Sequence, residues 1–254
     1  MDIETFYRHP TARLGAGTEI GRYCVVSEDV EIGPGCLIGH HVVVHAGARI
    51  GANVRIDDHA VIGKQPMRAP NSAVTKGGSQ PAPVVGNDCI VGTGVVLYAG
   101  SMIGKGVLVA DFATIRERVR VGDFTIVGRG VSIENDCTVG RYCKLETNVY
   151  LAAYSEVEDR CFIAPGVLTS NDNFIGRTEE RFKHFKGVTV RRGGRIGVGA
   201  VVLPGKEVGP DSVVAAGAVL TKDAEGEKVY TGVPARKSGD VPDEQKLDSQ
   251  GWED

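Results

Sequence analysis

Residues 107–134 decide the fold, and they read VLVADFATIRERVRVGDFTIVGRGVSIE. An aliphatic residue occupies every sixth position of this stretch, at Val109, Ile115, Val121, Val127 and Ile133. An α-helix would repeat its apolar stripe about every 3.6 residues, and a half-buried strand every second residue. A period of six fits neither element alone, so each hexad must hold a short strand and a turn.

The same period runs through three unbroken stretches of the chain. They contain 29 anchors, all Leu, Ile or Val, and cover residues 14–62, 85–163 and 190–220. Glycine often follows an anchor, as at Gly122 and Gly140, where a tight turn tolerates residues without a Cβ. Three hexads that close one triangular coil would place the anchors inside and the turns at the corners. The sequence therefore predicts an all-β parallel solenoid of about ten coils, roughly 45–50 Å long at ~4.8 Å per coil.

The fourth position after each anchor is filled by small residues. All six cysteines occupy this slot, namely Cys24, Cys36, Cys89, Cys137, Cys143 and Cys161. We interpret them as small interior hydrophobes, because a disulfide or metal site would not follow the repeat so regularly.

Composition and charge exclude several classes of partner. The chain has 254 residues, a formal net charge of −3, and 42% hydrophobic but only 6% aromatic residues. No window approaches the ~18 uninterrupted apolar residues of a membrane span. We therefore expect a soluble, cytoplasmic protein with neither a nucleic acid nor a membrane as partner.

The repeat is interrupted twice, and both interruptions must leave the solenoid. Because Ile62 and Val85 are 23 positions apart, and Ile163 and Val190 27, neither interval is a multiple of six. We predict one domain over residues 1–237 with excursions at 64–84 and 170–187, followed by a polar acidic tail at 238–254. The first excursion is rich in Pro, Ser and Gly, whereas the second is basic, as an anionic ligand would require. Excursions from a rigid scaffold are common places for function.

This hexad pattern resembles the left-handed parallel β-helix of the hexapeptide-repeat acyltransferases, over about residues 14–236. The left hand is implied by the resemblance alone. The resemblance also implies a homotrimer whose active sites lie between neighbouring solenoids.

Four segments are similar to a narrower group, the N-acetyltransferases of nucleotide-linked amino sugars. They are VLTSNDNFIGR (167–177), KGVTVRRGGRIGVGAVVLPG (186–205), AAGAVLTKD (215–223) and GVPARK (232–237). The resemblance implies acetyl-CoA as co-substrate, no metal, and a dTDP- or UDP-linked amino sugar as acceptor, used for a surface polysaccharide or glycan. Relatives often carry a Pro a few residues after the Asn, where this chain has Phe174 and Ile175. The identity of the sugar therefore stays open.

The resemblance also implies roles for individual residues. Asn171 and Asp172 would be the catalytic pair that holds the sugar beside the thioester. The residues expected to bind acetyl-CoA are Gly199, Ala200, Ala215, Ala216 and Gly217, with Lys222 and Arg236 near its phosphates.

An 18-residue stacking rule indicates which side chains lie near Asn171. Counting back from Asn171 gives Ala153, Asn135 and Glu117 at one corner of successive coils. The substrate-binding candidates are Arg116, Glu117, Glu134 and Tyr154 at this corner, Glu146 and Asn148 at another, and Arg177, Lys183 and His184 in the second excursion.

Acyl transfer to an amine depends less on a general base than acyl transfer to a hydroxyl does. A hydroxyl requires a general base, usually His, worth about 10² to 10⁴ in rate, and His184 is the only His near the C-terminal site. A neutral amine held in line with the thioester gains roughly 7 to 11 kcal/mol from orientation alone. We therefore expect direct attack by the amine, with a backbone N–H stabilising the oxyanion.

Three alternatives remain open. His40 and His45 have the H-x4-H spacing that resembles the zinc ligands of γ-class carbonic anhydrases, and His41 should stack on His59. A catalytic zinc would need a third ligand. A lipid A type O-acyltransferase would need a His in the middle coils and a helical C-terminal domain, and residues 85–183 contain no His. A non-catalytic trimeric scaffold is the third alternative.

Overall fold

The chain winds through three parallel sheets, here called A, B and C, and visits them in turn. The computed structural model describes residues 6–75 and 77–252. Residues 1–5 and 253–254, the outer ends of the two predicted ranges, lie outside the described part. The turn from sheet A to sheet B is corner AB, and the turns that follow sheets B and C are corners BC and CA.

The strands are short, and most have two residues. Sheet A contains Tyr7–Arg8, Val25–Val26, Val43–Val44, Val61–Lys64, Val96–Tyr98, Thr114–Ile115, Ser132–Ile133, Tyr150–Leu151, Leu168–Thr169, Val201–Val202 and Val219–Leu220. Sheet B contains Arg13–Leu14, Glu31–Ile32, Arg49–Ile50, Val84–Val85, Met102–Ile103, Arg120–Val121, Thr138–Val139, Glu156–Val157, Thr189–Val190 and Glu207–Val208. Sheet C contains Glu19–Ile20, Leu37–Ile38, Arg55–Ile56, Ile90–Val91, Leu108–Val109, Ile126–Val127, Lys144–Leu145, Phe162–Ile163, Arg195–Ile196, Val213–Val214, Lys228–Thr231 and Arg236–Asp240.

The predicted anchors form the core. In the uninterrupted coils each strand pairs in parallel with the strand 18 residues later, as Ile115 does with Ile133. Every anchor is buried except Leu14 and Ile20, which lie half-buried at the first coils. The predicted all-β parallel solenoid is therefore confirmed, with eleven strands in sheet A where about ten coils were predicted. Its left hand stays a prediction.

Some residues in the small position four places after the anchor also form hydrogen bonds. All six cysteines are buried with free thiols, as predicted. The thiol of Cys24 donates to the carbonyl of Gly39 at 3.0 Å, and that of Cys89 to Gly104 at 3.0 Å. The hydroxyl of Thr125 makes the same contact to Gly140 at 2.8 Å. The slot thus supplies a donor to a turn carbonyl of the following coil.

The repeat continues further than the aliphatic pattern predicts. Strand Leu168–Thr169 extends the second run by one hexad, with Thr169 buried in the anchor position. Its hydroxyl accepts the N–H of Ala152 at 2.8 Å and donates to the carbonyl of Tyr150 at 3.1 Å. Because both hydrogen-bonding functions are satisfied, a polar residue can take an interior place.

Both excursions leave the solenoid at corner AB. The first connects Val61–Lys64 to Val84–Val85, and the second connects Leu168–Thr169 to Thr189–Val190. The second contains a 3-10 helix at Glu179–Lys183. Five strand-to-strand steps of sheet A separate them, which is about 24 Å at ~4.8 Å per step. Four complete turns of corner AB lie between them.

The C-terminal segment folds back onto the solenoid. Strand Arg236–Asp240 pairs antiparallel with Lys228–Thr231, and 3-10 helices follow at Asp243–Gln245 and Leu247–Ser249. The N–H of Leu247 donates to Asp211 Oδ1 at 3.2 Å. Within the described ranges, no helix has the length and apolar character that crossing a membrane would require.

Candidate functional site

The candidate site is the stretch of corner AB between the two excursions, which we call the AB column. It comprises residues 98–100, 116–118, 134–136 and 152–154, one turn from each of four successive coils. The middle residue of each turn is buried, namely Ala99, Glu117, Asn135 and Ala153. In the first coils the same position of corner AB holds Glu28 and Ala46, which are exposed. Burial therefore distinguishes the AB column from the first coils of its own corner.

The first excursion lies directly on this column. The N–H of Gly100 donates to the carbonyl of Pro81 at 2.6 Å, and Thr75, itself buried, contacts Arg116. At the other end, the second excursion re-enters the solenoid where the N–H of Val188 donates to Ser155 Oγ at 3.1 Å. The two excursions thus border the column at both ends.

Arg116 holds two carboxylates together. Its Nε donates to Glu117 Oε2 at 2.9 Å and its Nη2 to Glu117 Oε1 at 3.2 Å, while Nη1 reaches Glu134 Oε2 at 3.3 Å. Nη2 also contacts Thr75 Oγ1 at 3.3 Å, and the guanidinium lies 5.0 Å from the centre of the Tyr98 ring. The Glu117 side chain is 0% exposed and that of Arg116 19%. A carboxylate this deeply buried must be paired, and the two-point contact with Arg116 provides the pairing.

Glu134 is the carboxylate of this group that solvent still reaches. Burial raises the pKa of Glu134, the charge of Glu117 raises it further, and the charge of Arg116 opposes the rise. A carboxylate with a raised pKa is a stronger base than one free in water, while Arg116 holds it in position.

A second charged pair continues the column. Arg118 donates to Asp136 Oδ1 at 2.6 Å from Nε and to Oδ2 at 2.8 Å from Nη2. Asn135 Nδ2 donates to the same carboxylate at 2.7 Å. Among the described residues, Asn135 Oδ1 is buried and accepts no hydrogen bond. A buried acceptor without a donor is costly, so an N–H or O–H group of a water or a ligand would stabilise this oxygen.

The predicted catalytic pair begins the second excursion. Both oxygens of Asp172 serve the loop itself, because Oδ1 accepts the N–H of Phe174 at 2.8 Å and Oδ2 that of Gly176 at 2.9 Å, with Arg181 Nη1 at 3.2 Å. Burial raises the pKa of Asp172, but these donors together outweigh it and lower the pKa. Asn171 is half-buried and its side chain makes no hydrogen bond within the described part of the chain. Asp172 therefore shapes the loop, and the amide of Asn171 stays available.

The basic residues of the second excursion are largely paired. Lys183 Nζ lies 3.0 Å from Glu180 and His184 Nε2 lies 3.1 Å from the same carboxylate. Just beyond the excursion, Arg191 joins Glu158 at 2.8 Å and Glu207 at 2.7 Å. Arg177 is exposed. The open cationic surface that the sequence predicted is therefore mostly neutralised by acids that interleave with it.

The residues predicted to bind acetyl-CoA flank the outer face of sheet A. Corner CA exposes Gly199, Ala216 and Gly217 and half-buries Ala215. Lys222 is exposed at corner AB, and Arg236 is exposed at the start of the last strand. Ala200 corrects the prediction, because its side chain lies in the core and its N–H and carbonyl bond to Gly197 and Leu168. No group of Ala200 is left for a cofactor.

The remaining predicted residues are divided between corners. Tyr154 belongs to the AB column, and burial and the charge of Asp136 raise its pKa against the opposing effect of Arg118. Glu146 and Asn148 lie at corner CA, so the structure does not bring them to Arg116 within one chain.

Of the N-terminal histidines, His41 and His59 stack at corner CA, whereas His45 follows a sheet A strand and lies at corner AB. His41 and His59 lie 4.8 Å apart between ring centres with 6° between planes, as predicted, and Tyr23 stacks on His41 at 5.1 Å. His40 Nδ1 accepts the N–H of Arg22 at 2.9 Å. In residues 6–75 and 77–252, no group of three or more His, Cys, Asp or Glu side chains is arranged to hold a metal ion.

Comparison with known proteins places the repeats in a family. The model described as bacterial transferase hexapeptide (six repeats) matches residues 11–46 and 29–64, and that described as hexapeptide repeat of succinyl-transferase matches residues 188–222. Residues 11–64 and 188–222 therefore carry hexapeptide repeats of the kind that these two models describe. No curated protein matches it.

Solved structures share the fold of this hexapeptide-repeat protein at low identity. A UDP-N-acetylglucosamine acyltransferase of Francisella novicida is 20% identical with a TM-score of 0.53, and the match covers 99% of this chain and 74% of that one. The corresponding enzyme of Arabidopsis is 16% identical with a TM-score of 0.58, covering 93% and 73%. These likenesses establish the fold.

Sequence reasoning did not find every residue of the column in this hexapeptide-repeat protein. Arg118 and Asp136 were missed, although their spacing of 18 residues was a usable signal. Thr75 could not have been found, because its contact with Arg116 depends on the path of the first excursion.

Proposed function

We propose that this hexapeptide-repeat protein is an acyltransferase that moves an acetyl group from acetyl-CoA to the amino group of a nucleotide-linked sugar. The observation that supports it most is the AB column, where Glu134, a carboxylate of raised pKa, precedes Asn135, whose Oδ1 has no hydrogen-bond partner among the described residues. A positioned base next to a free acceptor suits an amine that must be oriented and lose a proton.

The residues of the column would act on the acceptor amine. It arrives as an ammonium ion, and Glu134 takes one proton from it. The nitrogen then attacks the thioester carbonyl carbon, a C–N bond forms, and the C–S bond breaks to release the thiolate of CoA. The nitrogen loses a second proton as the amide forms, and the thiolate becomes a thiol by protonation. Asn135 Oδ1, on the same coil as Glu134, would hold the amine during the attack, and the Asn171 amide, two coils further along the column, would hold another polar group of the sugar.

This scheme modifies the simplest expectation from the sequence. Direct attack by a neutral amine needs no base, but at neutral pH an alkyl amine is largely protonated. Glu134 supplies the deprotonation, and Arg116 keeps its carboxylate oriented.

The outer faces of the sheets favour association with further copies. Outward positions are mainly apolar on sheet A and on sheet C, as at Val96, Leu168, Ile90 and Phe162, whereas sheet B presents Arg13, Glu31, Arg49, Arg120, Glu156 and Glu207. We therefore assign sheets A and C to contacts within a homotrimer. Light scattering should then report three times the chain mass of 26.9 kDa.

The proposed function is tested by release of CoA thiol with a panel of dTDP- and UDP-linked amino sugars, each paired with the same sugar carrying a hydroxyl instead. Turnover is expected with at least one amino sugar and not with its hydroxyl counterpart. Asn171→Ala should reduce kcat/KM by at least about tenfold, since misplacing the reacting groups slightly is costly. Asn173→Ala, on the exposed side of the same excursion, is the matched control. Equal kinetics for both variants would contradict the role of Asn171.

A further inference from the structure

Sheet A changes character where it runs beside the AB column. Its outward-facing residues are apolar in most strands, but three successive strands carry a hydroxyl group there, on Thr114, Ser132 and Tyr150. We call these three residues the A ladder. Ser132 pairs with Thr114 in one neighbouring strand and with Tyr150 in the other. The ladder therefore spans about 10 Å at ~4.8 Å per strand. The apolar outward residues that flank it are Val25, Val43, Val61 and Val96 on one side and Leu168, Val201 and Val219 on the other.

The A ladder adjoins the carboxylate and guanidinium groups of the column. Thr114 precedes Arg116 by two positions, and Ser132 precedes Glu134 by two. Alternate residues of a strand point to the same side, so Ser132 and Glu134 project together from the outer surface while the residue between them points inward. Tyr150 is close to the same charges, because burial raises the pKa of its hydroxyl, the charge of Glu134 raises it further, and that of Arg116 opposes the rise. The phenol therefore stays protonated and keeps a hydrogen to donate.

The hydroxyl groups of the ladder form no hydrogen bond within the described part of the chain. Thr114 and Ser132 are half-buried and Tyr150 is 38% exposed, so a ligand can reach all three. By contrast, the buried hydroxyl of Ser155 donates to the carbonyl of Ala152 at 2.6 Å. Each free hydroxyl can both donate and accept a hydrogen bond. A row of such groups suits a ligand with several hydroxyls, and the Tyr150 ring adds an apolar surface.

The position of the ladder favours a ligand over a contact between copies. The buried core of a contact between identical chains is mainly apolar. Apolar residues of sheet A resume on both sides of the ladder, at Val96 and Leu168. The polar interruption thus coincides with three of the four coils that form the AB column. Contacts between copies can therefore close on either side of the ladder and leave an open cleft at it.

We propose that the A ladder binds the hydroxyl groups of the acceptor sugar, so that the sugar ring lies on sheet A and its amino group reaches Glu134. The inference rests on the proposed function, because it takes the acceptor to be an amino sugar. It adds a requirement to that function, since the sugar must keep free hydroxyl groups on its ring. Ser132, two positions from Glu134, and Tyr150 beside it would select for those hydroxyls.

Binding of the acceptor can be measured without the acyl donor. Isothermal titration calorimetry is carried out on the original protein with dTDP- and UDP-linked amino sugars, and with analogues of each in which one ring hydroxyl is replaced by hydrogen. We expect at least one amino sugar to bind. It should bind about three- to tenfold more weakly when a hydroxyl that contacts the ladder is absent, as the loss of one neutral hydrogen bond implies. Failure of every amino sugar to bind overturns the proposal.

Two substitutions each remove a single hydroxyl of the ladder. Tyr150→Phe and Ser132→Ala should each weaken binding of the amino sugar by about three- to tenfold. Each should leave the affinity for one deoxygenated analogue unchanged, because that analogue has already lost the partner group. Thr138→Val is the matched control, since Thr138 carries an exposed hydroxyl on sheet B in the same coil as Ser132. This variant should bind every ligand as the original protein does.

Affinities of Tyr150→Phe and Ser132→Ala that equal those of the original protein, or that fall equally for the sugar and all its analogues, overturn the proposal. Release of CoA thiol is followed with the same variants, so that sugar binding and acyl transfer are judged separately. Acetyl transfer by variants whose acceptor affinity is unchanged overturns the role of the ladder alone. Ladder-dependent binding without acetyl transfer contradicts the proposed function and leaves the sugar site in place.

Discussion

Two corner columns of this solenoid carry polar side chains at 18-residue spacing, and their surroundings differ. The AB column holds Glu117 and Asn135 at 0% exposure, and Thr75 of the first excursion contacts Arg116 in the same column. At corner CA the first coils hold Tyr23, His40, His41, Asp57, Asp58 and His59, which we call the CA column, and its stacked rings of Tyr23, His41 and His59 are exposed. The repeat alone can stack side chains at any corner, whereas only the covered corner removes charges from water.

The polar groups of the two columns differ in the hydrogen-bond partners that are available to them. In the CA column of the single chain, Asp58 Oδ1 accepts the N–H of His40 at 2.6 Å, and the remaining polar side chains are exposed or half-buried. In the AB column, Glu117 depends on Arg116, and Asn135 Oδ1 has no donor in the described chain. Water satisfies the exposed groups of the CA column, whereas the AB column leaves a buried acceptor that a ligand would satisfy.

The largest effect is expected when the base of the AB column is neutralised. Glu134→Gln keeps the shape of the side chain but removes its ability to accept a proton. We expect kcat/KM for acyl transfer to fall by about 10² or more, as for other general bases. Asp57→Asn, at the equivalent corner position of the CA column, is the control and should leave kcat/KM unchanged. A parallel fall in both variants would remove the distinction between the columns.

Substitutions in the two columns should also differ in their effect on the free energy of unfolding. Glu117→Gln leaves Arg116 without its buried partner, and breaking a buried pair destabilises by about 3–5 kcal/mol. Asp58→Asn, which occupies the same turn position at corner CA, can still accept the N–H of His40 and should stay within about 0.5 kcal/mol. Urea denaturation measures both free energies of unfolding. Similar losses of unfolding free energy in the two variants would show that the carboxylates of the two corners contribute equally to stability.

The smallest effect is a difference in pH dependence. The pKa of Glu134 is raised in the folded protein, so the folded state favours its protonated form. The resulting contribution to stability is fully present below the ordinary glutamate pKa and is lost as pH rises through the higher folded pKa. Glu134→Gln lacks this loss, so the stability of the variant relative to the original protein should increase with pH across that window. Denaturation curves whose difference is independent of pH would contradict the raised pKa.

Most of the fold could be predicted, because the hexad is set by local chemistry. Each aliphatic anchor lies in the interior since a coil of three hexads has no other place for it. Thr169 was missed as an anchor because its interior place depends on hydrogen bonds to Ala152 and Tyr150, which belong to the preceding coil. A search for aliphatic residues cannot detect such a position.

The candidate site was predictable only in part. Stacking by 18 residues correctly grouped Arg116, Glu117 and Glu134 at one corner, but their burial comes from an excursion whose path no repeat specifies. The charge of the second excursion was misjudged because cations were considered without Glu180, which pairs with Lys183 and His184. Pairing within an irregular segment depends on its conformation, which composition does not reveal.

We propose that the AB column is the acceptor site of an acyltransferase. The most direct test is acetyl-CoA turnover with the amino-sugar nucleotide panel, comparing the original protein with Glu134→Gln and Asp57→Asn. We expect the original protein to transfer the acetyl group to an amino sugar, Glu134→Gln to lose this activity and Asp57→Asn to retain it. Turnover that persists undiminished in Glu134→Gln, or its absence with every amino sugar, would contradict it.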